Sequence, residues 1–362
     1  MSSTRKPSCA WSLGDLQSVP SNGIRVMSTF ACGGGSSMGY KLAGCEVVAA
    51  NDIDPEMARH YKANLHPRHY YLCPIADVGT KLPIDESLFG IDILDGSPPC
   101  STFSISGNRE SDWGKNKHFR EGQAKQVLSD LFFDFLDLAG RIKPKIIVAE
   151  NVKGMLIGNA KGYTRLVIRR MEELGYKPQV FLINAADCGV PQARERVFFV
   201  ALRSDIKAPP IKLQLQHRHI SAAEACDDIQ VLTNEEKAYT AFGAVKSHNT
   251  YWQKTIPGQS YRQTRLRLGM SASHWNYLRL DGSKPANTLP AHPDVIAHWT
   301  SPRKLTMREV VRIGSFPDDY QFGSVAIGKY MVGMSVPPRM AQRVAEAVCQ
   351  QWLGVPKKAQ EK

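Results

Sequence analysis

Between residues 24 and about 203, short β-rich apolar runs alternate with amphipathic stretches, and this alternation narrows the possible fold more than any other feature. GIRVMSTF, CEVVAAND, GIDILDG, KIIVAE and ERVFFVAL have the length and β-branched content of strands. PEMARHYKANL, QVLSDLFFDFLDLAGRI and YTRLVIRRMEELG carry apolar residues at helical spacing, the last two ending at Gly or just before Pro. Such alternation predicts an α/β, doubly wound fold: a mostly parallel, Rossmann-like sheet with helices on both faces. Sheets of this kind hold their ligands beyond the C-terminal ends of the strands, so that edge is where chemistry is sought.

The pattern breaks over residues 204–322, where Pro and Gly punctuate a stretch without sustained period. PPRMAQRVAEAVCQQWL then regains helical spacing, with Met340, Val344, Ala347 and Val348 on one stripe, and is expected to return to the first domain. The expected organisation is a loose extension over residues 1–22, a large domain from 23–203 plus 324–353, a smaller irregular domain over 204–323, and a basic tail at 354–362. A chain of 362 residues with 43% hydrophobic content supports one large domain and one smaller one. The net charge of +12 favours a polyanionic partner, nucleic acid ahead of a membrane surface. Eight cysteines stand singly with no C-x-x-C pair, which argues against a metal site and a disulfide framework. The chain starts without a signal-peptide core and contains no run of 18 uncharged apolar residues, so a cytoplasmic protein is expected, and with no helix that signals a stable dimer, a monomer.

FACGGGSSMG follows the first strand and opens the first helix, where a Gly-rich turn exposes backbone N–H groups to a ligand. Asp52 ends the second strand about 20 residues on, where a carboxylate accepts ribose hydroxyls; Asp54 is the better cap for the helix that starts at Pro55. Neither feature separates a dinucleotide from another adenosyl ligand. In GIDILDGSPPCSTFS a strand runs through two prolines to Cys100, presenting a thiol at the sheet edge. Such a thiolate can attack carbon 6 of cytosine and push electrons to carbon 5. Glu150 follows the strand KIIVA at the same edge and can share a proton with ring nitrogen 3 while reading the exocyclic amine. In GVPQARERVFFVAL, Arg194 and Arg196 share one side of an extended segment, one able to hold the base oxygen and the other to organise phosphate or loop contacts.

These residues resemble the DNA cytosine-5 methyltransferase family of restriction–modification systems, with seven motifs in that family's order: FACGGGSSMG, NDID, GSPPCSTFS, ENV, QARER, RKLTMREVVRIGSFPDDY and GMSVP. The resemblance implies methyl transfer from S-adenosylmethionine to a specific cytosine of double-stranded DNA, with base flipping. It implies Cys100 as nucleophile, Glu150 at the ring nitrogen and amine, and Arg196 at the base oxygen supported by Arg194. It places Phe30, Ala31, Gly33, Gly34, Asp52, Ile53, Ile75, Pro99, Ser335 and Val336 at the adenosylmethionine site. Residues 101 to about 117 match the loop that closes over flipped-out DNA, with Ser101, Ser104 and Ser106 at the DNA and Ser106 toward the gap left by the base. A cognate restriction endonuclease is the protein partner implied.

Three positions depart from the family pattern. Cys32 replaces a glycine, Met334 replaces an asparagine, and the usual acidic residue of the third motif is missing, with Pro74 and Asp77 nearest. Two other readings stay open at this point, a tRNA cytosine-5 methyltransferase and a catalytically silent DNA-binding homologue.

The family's variable target-recognition region falls on roughly 75 unmatched residues after position 203. Within it, residues 246–279 hold six basic side chains (Lys246, Lys254, Arg262, Arg265, Arg267, Arg279) and no acidic one. They are interleaved with Tyr251, Trp252, Tyr261, Trp275 and Tyr277, a composition suited to phosphate anchoring and base-edge contacts. Lys254, Arg262, Arg265 and Arg267 are the candidate DNA-binding residues.

Overall fold

The computed structural model describes residues 7–99, 116–117, 126–127, 131–158, 160–242, 247–271 and 276–356. The chain divides into two compact units. One comprises Gly14–Asn184, Glu195–Leu215 and Pro338–Lys362; the other comprises Met1–Leu13, Ala185–Arg194 and Gln216–Pro337.

Through residue 203 the strands are β1 (Arg25–Thr29), β2 (Glu46–Asp52), β3 (His69–Leu72), β4 (Ile93–Gly96), β5 (Asn116–Lys117), β6 (Gln126–Val127), β7 (Ile146–Val152), β8 (Tyr176–Asn184), β9 (Gln192–Ala193) and β10 (Glu195–Arg203). Seven of them build one sheet in the order β3-β2-β1-β4-β7-β10-β8. Pairing from β3 to β7 is parallel, and β10 runs antiparallel to both β7 and β8. This is a mixed, mostly parallel α/β sheet of the expected Rossmann-like kind. The five central strands are the five that the apolar runs predict. The two missed, β3 and β8, are its edges: β3 has no buried residue, and β8 contains Pro178 and buries only Tyr176 and Ile183. A strand open on one side needs no continuous apolar run and tolerates proline.

Helices α1 (Leu13–Gln17), α2 (Gly35–Leu42), α3 (Pro55–Leu65), α4 (Leu131–Ile142) and α5 (Ala160–Glu173) accompany the sheet. Strand alternation sends Met27, Leu94, Ile147 and Phe199 into a core with Phe132, Phe135 and Leu136 of α4 and Val167 and Met171 of α5. Ser28 and Asp95 face the opposite way, and Tyr40 of α2 hydrogen-bonds Asp95 there. Both faces are therefore covered, and the unit buries its sheet in two layers of helix.

The second unit holds α6 (Ala222–Ala225), α7 (Asn234–Thr240), α8 (Ser247–Lys254), α9 (Tyr261–Arg267), β11 (Leu278–Arg279), β12 (Ala286–Asn287), β13 (Ile296–Ala297), α10 (Met307–Ile313) and α11 (Val325–Met334). With so little regular structure, polar clamps carry the architecture. Arg312 is gripped by Asp228 and Asp318, and Glu309 takes both Nη atoms of Arg303 at 2.7 and 2.8 Å. Burial opposes ionisation of Glu309, but Arg303 and His298 outweigh it and hold the carboxyl down at about 2.

The boundaries differ from those expected. Residues 185–194 and α11 group with the irregular unit, because β9 pairs with β12 and α11 presses on residues 290–291, where a Cβ on Gly333 would stand 2.1 Å from the Pro290 carbonyl oxygen. The N-terminal stretch is no loose extension from Pro7 onward: Trp11 is buried and its Nε1 donates to the Ser315 carbonyl at 3.0 Å. An apolar anchor among polar residues leaves no periodic signal.

The last helix, α12 (Pro338–Trp352), groups with the sheet unit and buries Met340, Val344, Ala347 and Val348. It lies so close to α2 that a Cβ on Gly39 would stand 2.5 Å from Ala341 Cβ and 2.6 Å from the Pro338 carbonyl oxygen. Among the described residues no helix is long and apolar enough to cross a membrane.

Candidate active site

Three strand ends meet at one edge of the sheet. β4 and β7 run parallel and finish together, with Gly96 beside Ala149. β10 runs the other way, so its beginning lies at that same edge, with Arg196 opposite Val152. Arg196 Nε stands 2.8 Å from Glu150 Oε1, with side-chain exposures of 15% and 10%. A second guanidinium nitrogen, Nη1, donates to the Glu195 carbonyl at 2.8 Å. The Nη2 hydrogens have no partner among the described residues, which leaves the fork able to reach an acceptor beyond Glu150.

Asn151, which no sequence argument singled out, fixes the third strand end. Its Nδ2 donates to the Pro98 carbonyl at 3.0 Å in buried surroundings, and its Oδ1 accepts the Val152 N–H at 2.8 Å. The backbone leading to Cys100 is thereby tied to the strand that carries Glu150. The ENV match contained the residue, but only the parallel register of β4 and β7 reveals its partner. Cys100, Ser101, Ser104 and Ser106 lie outside the described residues; Pro99, which precedes Cys100, is partly exposed.

Arg194 does not join Arg196. It is buried, and its Nη1 donates to the carbonyls of Leu289 and Gly333 at 3.1 and 3.0 Å within the irregular unit. Alternation would put both arginines on one side of a continuous strand, but the chain passes from one unit to the other between them. Gln192 is likewise a clamp, accepting the Leu289 N–H and donating to the Ile313 carbonyl.

At the cofactor end, the turn from β1 into α2 uses left-handed backbone at Phe30 (φ 51°), Cys32 (φ 45°) and Gly34 (φ 73°). Cys32 thus takes the conformation a glycine would supply and keeps the turn, at a cost of about 1 kcal/mol of strain. Its N–H donates to Asp52 Oδ2 at 2.7 Å, while Asp52 Oδ1 accepts the Asp54 N–H at 2.9 Å. Burial raises the Asp52 carboxyl above its usual range, against the pull of those N–H groups. Each oxygen retains a lone pair, so Asp52 can still accept hydroxyl donors. Asp54 caps α3, accepting the N–H groups of Glu56 and Met57. Ala31, Gly33 and Gly34 are buried and Ile53 is partly exposed beside Asp52. Ile75 is 2% exposed and belongs to the core below the sheet, while Asp77 pairs with Lys81 at 2.9 Å.

Asp95, also unmarked by sequence reasoning, lies under the turn. Its carboxyl accepts Ser28 Oγ at 3.0 Å and Tyr40 OH at 3.2 Å, and Ser36 adds a third hydroxyl. Burial pushes this carboxyl up to about 7 despite the hydroxyls, and the charge of Glu150 adds to the rise. In the irregular unit, Ser335 ends α11 with its hydroxyl buried and unpartnered among the described residues, Val336 is buried, and Met334 is 45% exposed.

The candidate DNA-binding side chains separate into two groups. Arg265 donates to the Ser271 carbonyl and Tyr251 OH, and Arg267 to the Lys254 carbonyl. Lys254 and Arg262 are exposed.

Comparison with known proteins accords with this geometry. The family model of C-5 cytosine-specific DNA methylases matches residues 24–350. The Type II methyltransferase M.DdeI of Desulfomicrobium norvegicum is 29% identical, over 90% of this chain and 88% of that protein. M.NgoFVII of Neisseria gonorrhoeae is 28% identical, over 91% and 87%. Among solved structures, a prophage-encoded E. coli protein assigned as a DNA modification methyltransferase superposes with a TM-score of 0.70 at 19% identity, covering 91% of this chain and 99% of that one. The S. pombe Dnmt2 methyltransferase gives 0.59 at 15%, covering 91% and 99%. Likeness at such low identity speaks for the fold alone. The family match spans nearly the whole chain and includes every strand of the sheet, so the chain belongs to the C-5 cytosine-specific DNA methylases and is a DNA cytosine-5 methyltransferase.

Proposed function

We propose that the protein transfers a methyl group from S-adenosylmethionine to carbon 5 of one specific cytosine in duplex DNA, through a covalent Cys100 adduct on a flipped-out base. The observation that carries this reading is the Glu150–Arg196 pair at the strand edge where Asn151 tethers the approach to Cys100. The Cys100 thiolate adds to carbon 6, and the ring electrons move toward carbon 5 while a proton is shared between Glu150 and nitrogen 3. Arg196 orients Glu150 and offers its free N–H groups to the base oxygen at position 2. After methylation the carbon-5 proton passes to a water molecule, and the electron pair it leaves restores the C5–C6 double bond as the C6–S bond breaks and expels the thiolate. Reaching carbon 6 requires the cytosine to leave the stack.

The residues at the cofactor end fit the methyl donor: a left-handed turn at a helix start, and a carboxylate with free lone pairs at the end of β2. Phe30, Gly34, Asp52 and Pro99 would hold it, and it would supply an electrophilic methyl on a sulfonium. The same reading assigns Ser335 and Val336 to the donor, and the unpartnered Ser335 hydroxyl is the kind of group that role needs. Because M.DdeI and M.NgoFVII are named as Type II methyltransferases, the proposed setting is a restriction–modification pair with a cognate endonuclease.

The test is incubation with labelled adenosylmethionine and duplex DNA or tRNA, followed by trapping on DNA with 5-fluorocytosine at the target. Label in duplex DNA and a denaturation-resistant complex that Cys100→Ser abolishes are expected. Label in tRNA alone, label in neither, or trapping by Cys100→Ser overturns the reading.

A further inference from the structure

α8 and α9 form a helix–turn–helix pair around the six residues 255–260, and its interior is closely tied. Ser260 caps α9, accepting the Gln263 N–H while the Gln263 side chain accepts the Ser260 N–H at 2.8 Å. Thr264 Oγ1 donates to Thr255 Oγ1 at 2.9 Å, and Tyr261 OH donates to the His248 carbonyl at 3.3 Å. Tyr261 and Thr264 are buried, so the face carrying Arg262 and Leu266 points to solvent, with Leu266 55% exposed.

The region holds four arginines, and three are committed to its own frame. Arg279 stacks over the Trp252 ring at 3.9 Å and donates to the carbonyls of Trp252, Thr255 and Trp299. Arg265 and Arg267 hold the Ser271 and Lys254 carbonyls. Arg262 has no such partner among the described residues and projects from the first turn of α9. One turn on, Leu266 presents an exposed apolar side chain; residues 237–280 contain no carboxylate, and Asp281, which packs near Gly258 of the turn, is engaged by Ser283 and Lys284. A rigid helix with an outward arginine, an apolar neighbour and a cationic setting suits the major groove of a duplex better than a protein surface.

From this we infer that Arg262 is the sequence-reading arginine of the recognition unit, donating its fork to a guanine edge, and that Leu266 packs on an adjacent base, while Arg265, Arg267 and Arg279 build the platform. The inference rests on the duplex-DNA reading above and names the residue that sets its specificity. Arg262 and Leu266 stand about 6 Å apart along the helix axis, close to two base-pair steps.

The experiment expresses the full chain, Arg262→Ala, Arg262→Lys and Leu266→Ala in a host without cytosine methylation and determines the methylated motif by bisulfite sequencing. Methyl-transfer rates are then measured on duplexes substituted at each motif position. For Arg262→Ala, preference at one guanine of the motif, or its symmetry pair, should fall roughly ten- to a hundredfold while the other positions keep theirs. Arg262→Lys should lose most of the same preference, and Leu266→Ala should relax a position near that guanine. An Arg262→Ala motif identical to that of wild type overturns the assignment. A uniform loss across all sequences with a shallower salt dependence also overturns it, since that is how a phosphate contact behaves. Melting curves matching wild type exclude misfolding as the source of any change. A wild-type chain that methylates no DNA overturns the underlying reading and this inference with it, an outcome distinct from an unaltered motif.

Discussion

Arg196 Nε stands 2.8 Å from Glu150 Oε1 across the antiparallel junction of β10 and β7, so the strand that reverses the sheet's direction delivers the cation its neighbour's carboxylate needs. Removing one member strands the charge of the other in a site about one-tenth exposed. Glu150→Ala and Arg196→Met should each cost about 2–4 kcal/mol in urea denaturation, and the double variant should recover most of that loss without recovering methyl transfer. Additive losses in the double variant would show that the pair is not coupled.

Asn151→Ala should act on rate more than on binding. The substitution leaves the Pro98 carbonyl without its buried donor, at about 1–3 kcal/mol, and loosens the backbone ahead of Cys100. The expected kinetics are a more than tenfold lower kcat with KM for DNA within about threefold of wild type. A change confined to KM would count against a positioning role.

Gly39→Ala should destabilise the sheet unit by about 2 kcal/mol or more, because its Cβ meets backbone and Cβ atoms of α12 at 2.5–2.7 Å. Gly162→Ala in α5, where nothing lies within 4 Å of the new methyl, should stabilise by about 0.5–1 kcal/mol. Thermal melts of the two variants should therefore move in opposite directions.

Asp95 makes the stability of the sheet unit depend on pH. An unfolded aspartate ionises near 3.9, whereas folded Asp95 holds its proton to about 7. The folded chain binds the extra proton between these values, so stability falls as pH rises through that window. Compared with Asp95→Asn, wild type should lose about 2–3 kcal/mol between pH 5 and pH 8. A gap independent of pH would mean that Asp95 titrates normally.

What the sequence disclosed follows from how each feature is encoded. Strands buried on both faces are largely apolar, so β1, β2, β4, β7 and β10 stand out, while the edges β3 and β8 answer to weaker constraints and do not. Glu150 and Arg196 were legible because strand ends carry them to one edge. Arg194, two residues from Arg196, reads in the sequence as sharing one side of an extended segment with it; the change of unit interrupts that alternation, and its guanidinium holds the Leu289 and Gly333 carbonyls. Asn151 and Asp95 act through partners distant in sequence, and neither local period nor motif spacing records a long-range hydrogen bond. The arginines of residues 246–279 were legible as a charge cluster, but which of them face outward depends on carbonyls supplied by turns.

The close approach of α12 to α2 at Gly39 also bears on what a protease can achieve. Residues that far apart in sequence meet by closing a long loop, which places their contact late in folding. Once made, it holds the last helix to the sheet by packing rather than by chain continuity. A nick in the irregular unit would therefore yield two bands on a denaturing gel, while the sheet and its final helix would still sediment as one body.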